Sequence, residues 1–215
     1  VGVFHLANLT GKVIIISGGG TGLGRAAAIT YARAGAHVVV FGRRADKLKT
    51  VVAEVQAAGG SILGLAADVS IEADMQRVVR ETVAKFGRID VVMNNAAIFE
   101  ANTVAETPTA DWDKQLAVNL TGPFLLTRES LAVMRKQNSG KFINVTTSMA
   151  DNGAGGYAAY SVSKAGLETL TRTVAEEEAK HHISAVLFNP GTIHSEMHAT
   201  GRDPLELADQ LLALI

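Results

Sequence analysis

Short runs of Val, Ile and Leu recur along the chain, and between them lie longer stretches in which apolar residues return every three or four positions. Six runs read as strands, at 13–16, 37–41, 62–65, 89–93, 141–145 and 184–188. Their near-continuous apolar character is that of strands covered on both faces of a parallel sheet. The stretches between them, at about 23–34, 46–58, 72–86, 111–136 and 157–181, have helical periodicity and are too long for loops. The alternation predicts a doubly wound α/β sheet, parallel, with helices on both faces. Gly59-Gly60, Gly87 and Gly140 fall where helices should stop, as left-handed caps do. A last helix is expected over 203–215, with Pro204 in its first turn. No linker interrupts the rhythm, so 1–215 is read as a single domain.

Composition narrows the function classes. At 215 residues, 47% hydrophobic and 19% charged, the chain can bury a substantial core and is not a disordered segment. Twenty basic and twenty-one acidic residues leave a net charge of −1 without a basic cluster, so no nucleic acid partner is expected. The absence of Cys excludes disulfides and zinc-thiolate sites and is compatible with a cytoplasmic protein. No spacing suggests a metal site: His181-His182 read as helix-end residues. No stretch approaches the roughly 18–20 apolar residues of a membrane span, and no signal peptide leads the chain. It begins with Val1, which suggests that a few leading residues are absent.

The first chemistry-bearing feature follows the first strand: Ser17-Gly18-Gly19-Gly20-Thr21-Gly22-Leu23-Gly24, running into a helix. Strand, glycine turn and helix in this order let backbone approach a pyrophosphate and aim helix N-terminal N–H groups at it. The frame Gly18-x-x-x-Gly22-x-Gly24 puts its first glycine at the strand exit, whereas Gly22-x-Gly24-x-x-Ala27 begins too late. Arg25-Ala26 stand where a P-loop needs Lys-Ser/Thr, which disfavours an NTPase. The second strand ends in Phe41-Gly42-Arg43-Arg44, with no acid. A carboxylate there would suit the ribose hydroxyls of NAD; two guanidinium groups suit the 2′-phosphate of NADP. NADP(H) is therefore preferred over NAD(H).

Tyr160-Ser161-Val162-Ser163-Lys164 places a phenol and an ammonium on one face of a helix. A free tyrosine, with a pKa of about 10, is a poor acid–base group at neutral pH. A nearby cation favours its ionised form.

Taken together, Gly18-x-x-x-Gly22-x-Gly24, Asn94-Asn95-Ala96, Asn119, Tyr160-x-x-x-Lys164 and Pro190-Gly191 resemble, in that order and over nearly the whole chain, the short-chain dehydrogenase/reductase family. The resemblance implies a Rossmann-like domain in which Tyr160 gives the proton to a carbonyl oxygen during reduction. Lys164 would hold the nicotinamide ribose and lower the tyrosine pKa, and Asn119 would anchor a water in the proton relay. Cofactor contacts are implied at Gly18, Gly20, Thr21, Gly22, Leu23 and Gly24, at Arg43 and Arg44, and at the Asp68-Val69 pair. Further contacts are implied at Asn95, Ala96 and Ala97, at Tyr160 and Lys164, and at Pro190, Gly191, Ile193 and Ser195.

Several positions depart from the family pattern. Ala97 replaces a glycine, and Ser195 stands where threonine is more usual. The substrate-orienting serine, thirteen positions before the tyrosine, is replaced by Thr147, with Ser148 one residue closer. Both hydroxyls are kept as candidates, the threonine being stiffer at χ1. His194 and His198 lie beside the nicotinamide segment and could contact substrate. A seventh strand with a glycine-rich ending, usual in the family after the last helix, is missing from this sequence, which we read as an incomplete chain.

The expected activity is NADP(H)-dependent interconversion of a small-molecule ketone or aldehyde and its alcohol. Two alternatives differ in class. One is an NADP(H)-binding regulatory or interaction protein with little catalysis, suggested by Thr147 and the missing strand. The other is an enoyl or dienoyl thioester reductase of the same family, suggested by Thr146-Thr147, though Tyr160 argues against it. Related enzymes pair through the helices corresponding to 111–136 and 157–181, so a homodimer or homotetramer is implied.

Overall fold

A computed structural model describes residues 8–193 and 200–215 of the chain. It contains the strands β1 Val13–Ser17, β2 His37–Gly42, β3 Ser61–Ala66, β4 Val91–Asn94, β5 Gly140–Val145 and β6 Ile183–Phe188. They form one parallel sheet in the order β3-β2-β1-β4-β5-β6. The order reverses between β1 and β4, and in such sheets a crevice opens there at the carboxyl ends of the strands.

The helices are α1 Gly22–Arg33, α2 Ala45–Ala57, α3 Glu72–Phe86, α4 Thr109–Leu116, α5 Gly122–Gln137, α6 Met149–Asn152, α7 Ala158–Glu178 and α8 Pro204–Leu212. The period of two along each strand divides them between two cores. Ile14, Ile16, Val38 and Val40 point to one face, where Ala27 of α1, Val51 of α2 and Leu211 of α8 meet them. Ile15, Val39 and Phe41 point to the other, against Val78 of α3, Leu126 of α5 and Val174 of α7. Burying one such side chain is worth about 1.5–3 kcal/mol. With both faces covered, the strands show apolar runs rather than alternation.

Three local features differ from the sequence pattern. The single helix expected over 111–136 is interrupted by a π-helical turn, Ala117–Thr121, between α4 and α5. Pro123 offers a reason: it has no N–H to return to the carbonyl of Asn119, four residues before it. Gly122 then lets the helix lie against Val69, whose carbonyl would be 2.9 Å from an added Cβ.

Gly87 is the left-handed cap expected of it, and Gly59 also takes positive φ. Gly140 does not. Asn138 (φ 52°) closes α5, and Gly140 opens β5, where a Cβ would lie 2.3 Å from the Met134 sulfur. The third difference is α6, a single turn between β5 and α7, where the pattern assigns no element.

Candidate active site

The crevice at the carboxyl edge is a cleft of about 920 Å³. Gly18, Gly20, Thr21 and Leu23 line it beside β1, Arg43 and Arg44 beyond β2, and Asp68 and Val69 after β3. Asn95, Ala96 and Ala97 follow β4, Thr147 and Ser148 follow β5, and Tyr160 and Lys164 enter from α7. Pro190, Gly191 and Ile193 complete the wall after β6. Ser195 lies outside the described residues, as do His194 and His198.

Gly22 and Gly24 do not line the cleft; they shape the turn that does. Gly18 and Gly22 have φ of +67° and +52°, a conformation that favours glycine. A Cβ on Gly24 would stand 2.4 Å from the Gly18 carbonyl oxygen. The turn is braced from the neighbouring strand. Asn95 Nδ2 donates to the carbonyls of Ser17 (3.0 Å) and Gly18 (3.3 Å), while Ser17 Oγ accepts from the N–H groups of Asn95 and Ala96, both at 3.0 Å. Asn95 thus lines the cleft but uses its amide as a brace. Ser17 has no motif to announce it, because its partners lie more than seventy residues away.

At the β2 end, Arg44 donates to Thr21 Oγ1 at 3.3 Å, which ties the basic segment to the glycine turn. Lys47, which belongs to none of the motifs, also lines the cleft here. Its spacing of four from Arg43, at a helix start, is the signal that could have found it. Asp68 Oδ1 accepts from the N–H and hydroxyl of Ser70, at 2.9 and 2.7 Å.

The other end holds the titratable pair. Lys164 is 2% exposed, and its ammonium donates to the Val145 carbonyl at 2.7 Å. It stands 5.9 Å from the centre of the Tyr160 ring. Burial pulls Lys164 down to about 8 and pushes the Tyr160 phenol above its ordinary value. The lowered tyrosine pKa expected from the lysine is therefore not produced by these two side chains, because desolvation outweighs the distant charge. Phe99 meets the Tyr160 ring edge-on at 5.1 Å and stacks on Tyr157 at 4.8 Å, an aromatic wall that no short motif reveals.

Thr147 is half-buried, and its Oγ1 accepts from the Met149 N–H at 3.4 Å; Ser148 is exposed at the start of α6. Asn119 sits in the π-helical turn, away from the cleft surface. Its side chain clamps the main chain of Ile98, accepting from the N–H at 2.8 Å and donating to the carbonyl at 2.9 Å, and it also donates to Ser163 Oγ at 3.2 Å. Ser163 in turn donates to the Tyr160 carbonyl at 2.7 Å. The Asn119 amide is thus fully engaged by protein, and its carbonyl is the group that Pro123 leaves without an α-helical donor.

The arrangement fits an elongated, anionic ligand: bare backbone at the glycine turn, guanidinium groups at one end, a phenol and an ammonium at the other. Among the described residues no cluster could hold a metal ion, and no helix is long and apolar enough to cross a membrane.

Comparison with known proteins agrees with this geometry. An uncharacterized oxidoreductase of Thermotoga maritima is 38% identical over 189 residues, covering 88% of this chain and 74% of that protein. The 3-oxoacyl-[acyl-carrier-protein] reductase of a Synechocystis species is 36% identical, covering 88% and 77%. The crystal structure of a metagenomic short-chain oxidoreductase in complex with NADP superposes with a TM-score of 0.89 at 32% identity, covering 96% of this chain and 91% of that one. The short chain dehydrogenase family profile matches residues 12–205, spanning the glycine turn, the Tyr160–Lys164 pair and all six strands. On the strength of that span, the chain belongs to the short-chain dehydrogenase family of oxidoreductases.

Proposed function

We propose that the protein is an NADP(H)-dependent oxidoreductase interconverting a ketone or aldehyde and the corresponding alcohol. The observation that carries this reading is one cleft lined by Arg43 and Arg44 at one end and by Tyr160 and Lys164 at the other. The NADP in the metagenomic relative and the reductase name of the Synechocystis relative support it. A nicotinamide cofactor, when bound, supplies or accepts the hydride.

The chain's own residues supply the rest. In the reduction, the Tyr160 hydroxyl donates its proton to the substrate oxygen. Burial keeps that phenol neutral at pH 7, which is the form a proton donor needs. The Lys164 ammonium stabilises the phenolate left behind. Thr147 orients the substrate oxygen: Met149 donates to its Oγ1, so its own hydrogen is available to the ligand. We favour it over the exposed Ser148. Asn119 holds the main chain of Ile98 and offers its backbone carbonyl to a relay water. Gly18, Gly20 and Thr21 would hold the cofactor, and Arg43 and Arg44, with Lys47 adjoining, would meet its 2′-phosphate. Phe124 and Val162, exposed on α5 and α7, support pairing of two copies through these helices.

The test is NADPH oxidation followed across a panel of ketones and aldehydes, with Tyr160→Phe as the control. The expected result is a kcat about 10²–10⁴ lower in the variant, with NADPH affinity by calorimetry retained. Full turnover by Tyr160→Phe would sink the proton-transfer assignment.

A further inference from the structure

A buried carboxylate that the mechanism does not use lies one helical turn beyond Lys164. Glu168 is 7% exposed, and its Oε1 accepts from the hydroxyl of Thr146 at 2.5 Å; Thr146 is 6% exposed and lines the cleft. Arg172 approaches the other carboxylate oxygen at 3.6 Å from the solvent side. Removing a carboxylate from water is costly unless it is paired and hydrogen-bonded, and an apolar residue would fill this place in α7 at lower cost.

The position of Thr146 indicates what the carboxylate does. The preceding residue, Val145, gives its carbonyl to Lys164, and the following residue is Thr147. The Thr146 N–H is held by the Phe188 carbonyl at 2.9 Å, which pins the backbone to β6. Its hydroxyl is held by Glu168, which pins the same residue to α7. Lys164 and Glu168 are four apart on α7, so two bonds on one helix face fasten the last two residues before Thr147. Past this point the chain leaves the sheet, and Thr147 inherits its position from Thr146.

We propose that Glu168 and Thr146 are positioning residues, a buried tether that sets where the Thr147 hydroxyl and the Lys164 ammonium stand relative to Tyr160. The inference rests on the carbonyl reduction proposed above. A tether that served stability alone would weaken the fold when cut and leave the folded enzyme's turnover intact. A positioning tether lowers kcat in the folded enzyme.

The experiment measures kcat, KM, NADPH affinity and urea midpoint for Thr146→Val, Thr146→Ser, Glu168→Gln and the double variant Thr146→Val/Glu168→Leu, beside Tyr160→Phe. Thr146→Val is expected to lower kcat about tenfold or more, because a small misplacement of reacting groups has a large effect on rate. NADPH affinity should hold. Thr146→Ser restores the hydroxyl and the rate, and Glu168→Gln, which keeps an acceptor in place, loses less than Thr146→Val. The double variant removes both partners, so its urea midpoint recovers while its kcat stays low. Full kcat in folded Thr146→Val, or recovery of kcat in the double variant, overturns the tether. If Tyr160→Phe turns over normally, the underlying reaction fails; if Tyr160→Phe is inactive and Thr146→Val is unaffected, the tether alone fails.

Discussion

The end of the cleft beside β1 and β2 is shaped by main chain, whereas the end beside β4 and β5 is shaped by buried side chains. Beside β1, positive φ at Gly18 and Gly22 and the close approach of Gly24 to the Gly18 carbonyl make the wall. Beside β5, Lys164, Glu168 and Thr146 are withdrawn from water, and below them a polar chain crosses the sheet. In that chain Asn94 donates to Asn144 at 2.8 Å, Asn144 to Thr171 at 2.7 Å, and Thr171 to the Leu167 carbonyl at 2.7 Å. The difference matches the tasks proposed for the two ends. An anion is met well by N–H groups fixed in a turn, while proton transfer needs side chains whose affinity for protons is tuned by burial.

The largest effect should come from putting a side chain into the main-chain wall. Gly24→Ala sets a methyl 2.4 Å from the Gly18 oxygen and 2.7 Å from Asn95 Nδ2. Overpacking of this kind costs about 3 kcal/mol or more where backbone must move. The expected outcome is a lower urea midpoint together with loss of calorimetric NADPH and NADH binding. Unchanged affinity for both would show that the turn is not the wall it is taken to be.

The same division explains what was legible in the sequence. Glycines, caps and strand runs act through neighbours a few residues away, so the six strands and the glycine turn could be placed from local pattern alone. The β4 start shows the limit: residues 89 and 90 read as strand, but Asp90 turns its carboxylate to the Val13 N–H at 2.9 Å and to Arg88 at 2.7 Å, and the strand begins at Val91. The candidate catalytic residues were legible as types and spacings. Their environments were not, because Asn119 answers to Ile98, Thr146 to Glu168 and Asn95 to Ser17, partners twenty-one or more positions away. Gly140 and Asn138 make the same point on a smaller scale: the Met134 side chain occupies the space a Cβ at position 140 would need, so the glycine serves packing at the start of β5 while Asn138 caps α5.

A second, somewhat smaller effect belongs to the side-chain end and concerns pH. The ordinary lysine value is 10.5, and burial holds Lys164 at about 8. Between those limits the unfolded chain binds more protons at this position than the folded one, so stability rises with pH across the window. Below about 8 the unfavourable burial of the ammonium is felt in full. Lys164→Met removes the titration, and the stability difference between wild type and variant should shift in favour of wild type by roughly 3 kcal/mol between pH 7 and pH 10.5. Tyr160, raised by burial, opposes this only above its ordinary range near pH 10. Urea midpoints measured at pH 7, 9 and 10 would reveal the slope. Parallel pH curves for the two proteins would mean that the ammonium is better solvated than its surroundings indicate.

The smallest effect separates the main-chain wall from the charges placed beside it. Arg43 and Arg44 stand at the rim of the cleft, exposed, and Arg44 donates to the Thr21 hydroxyl of the turn. Removing both guanidinium groups leaves the positive-φ glycines, the Asn95 brace and the start of α1 in place. Recognition of the dinucleotide pyrophosphate by N–H groups should therefore survive in Arg43→Ala/Arg44→Ala, and NADH affinity should be unchanged by calorimetry. Only the 2′-phosphate loses partners. Charge-assisted hydrogen bonds at a site this open to solvent are worth about 1.5–3 kcal/mol together, so NADPH affinity should fall about 10- to 100-fold. Lys47, in the first turn of α2, is the reason to expect the lower part of that range, since a cation remains beside the same rim. Raising the salt concentration should shrink the difference between wild type and variant, because exposed charges are screened. An equal loss for NADH and NADPH would mean that the arginines hold the turn itself, and the separation between a wall of main chain and a rim of charge would no longer stand.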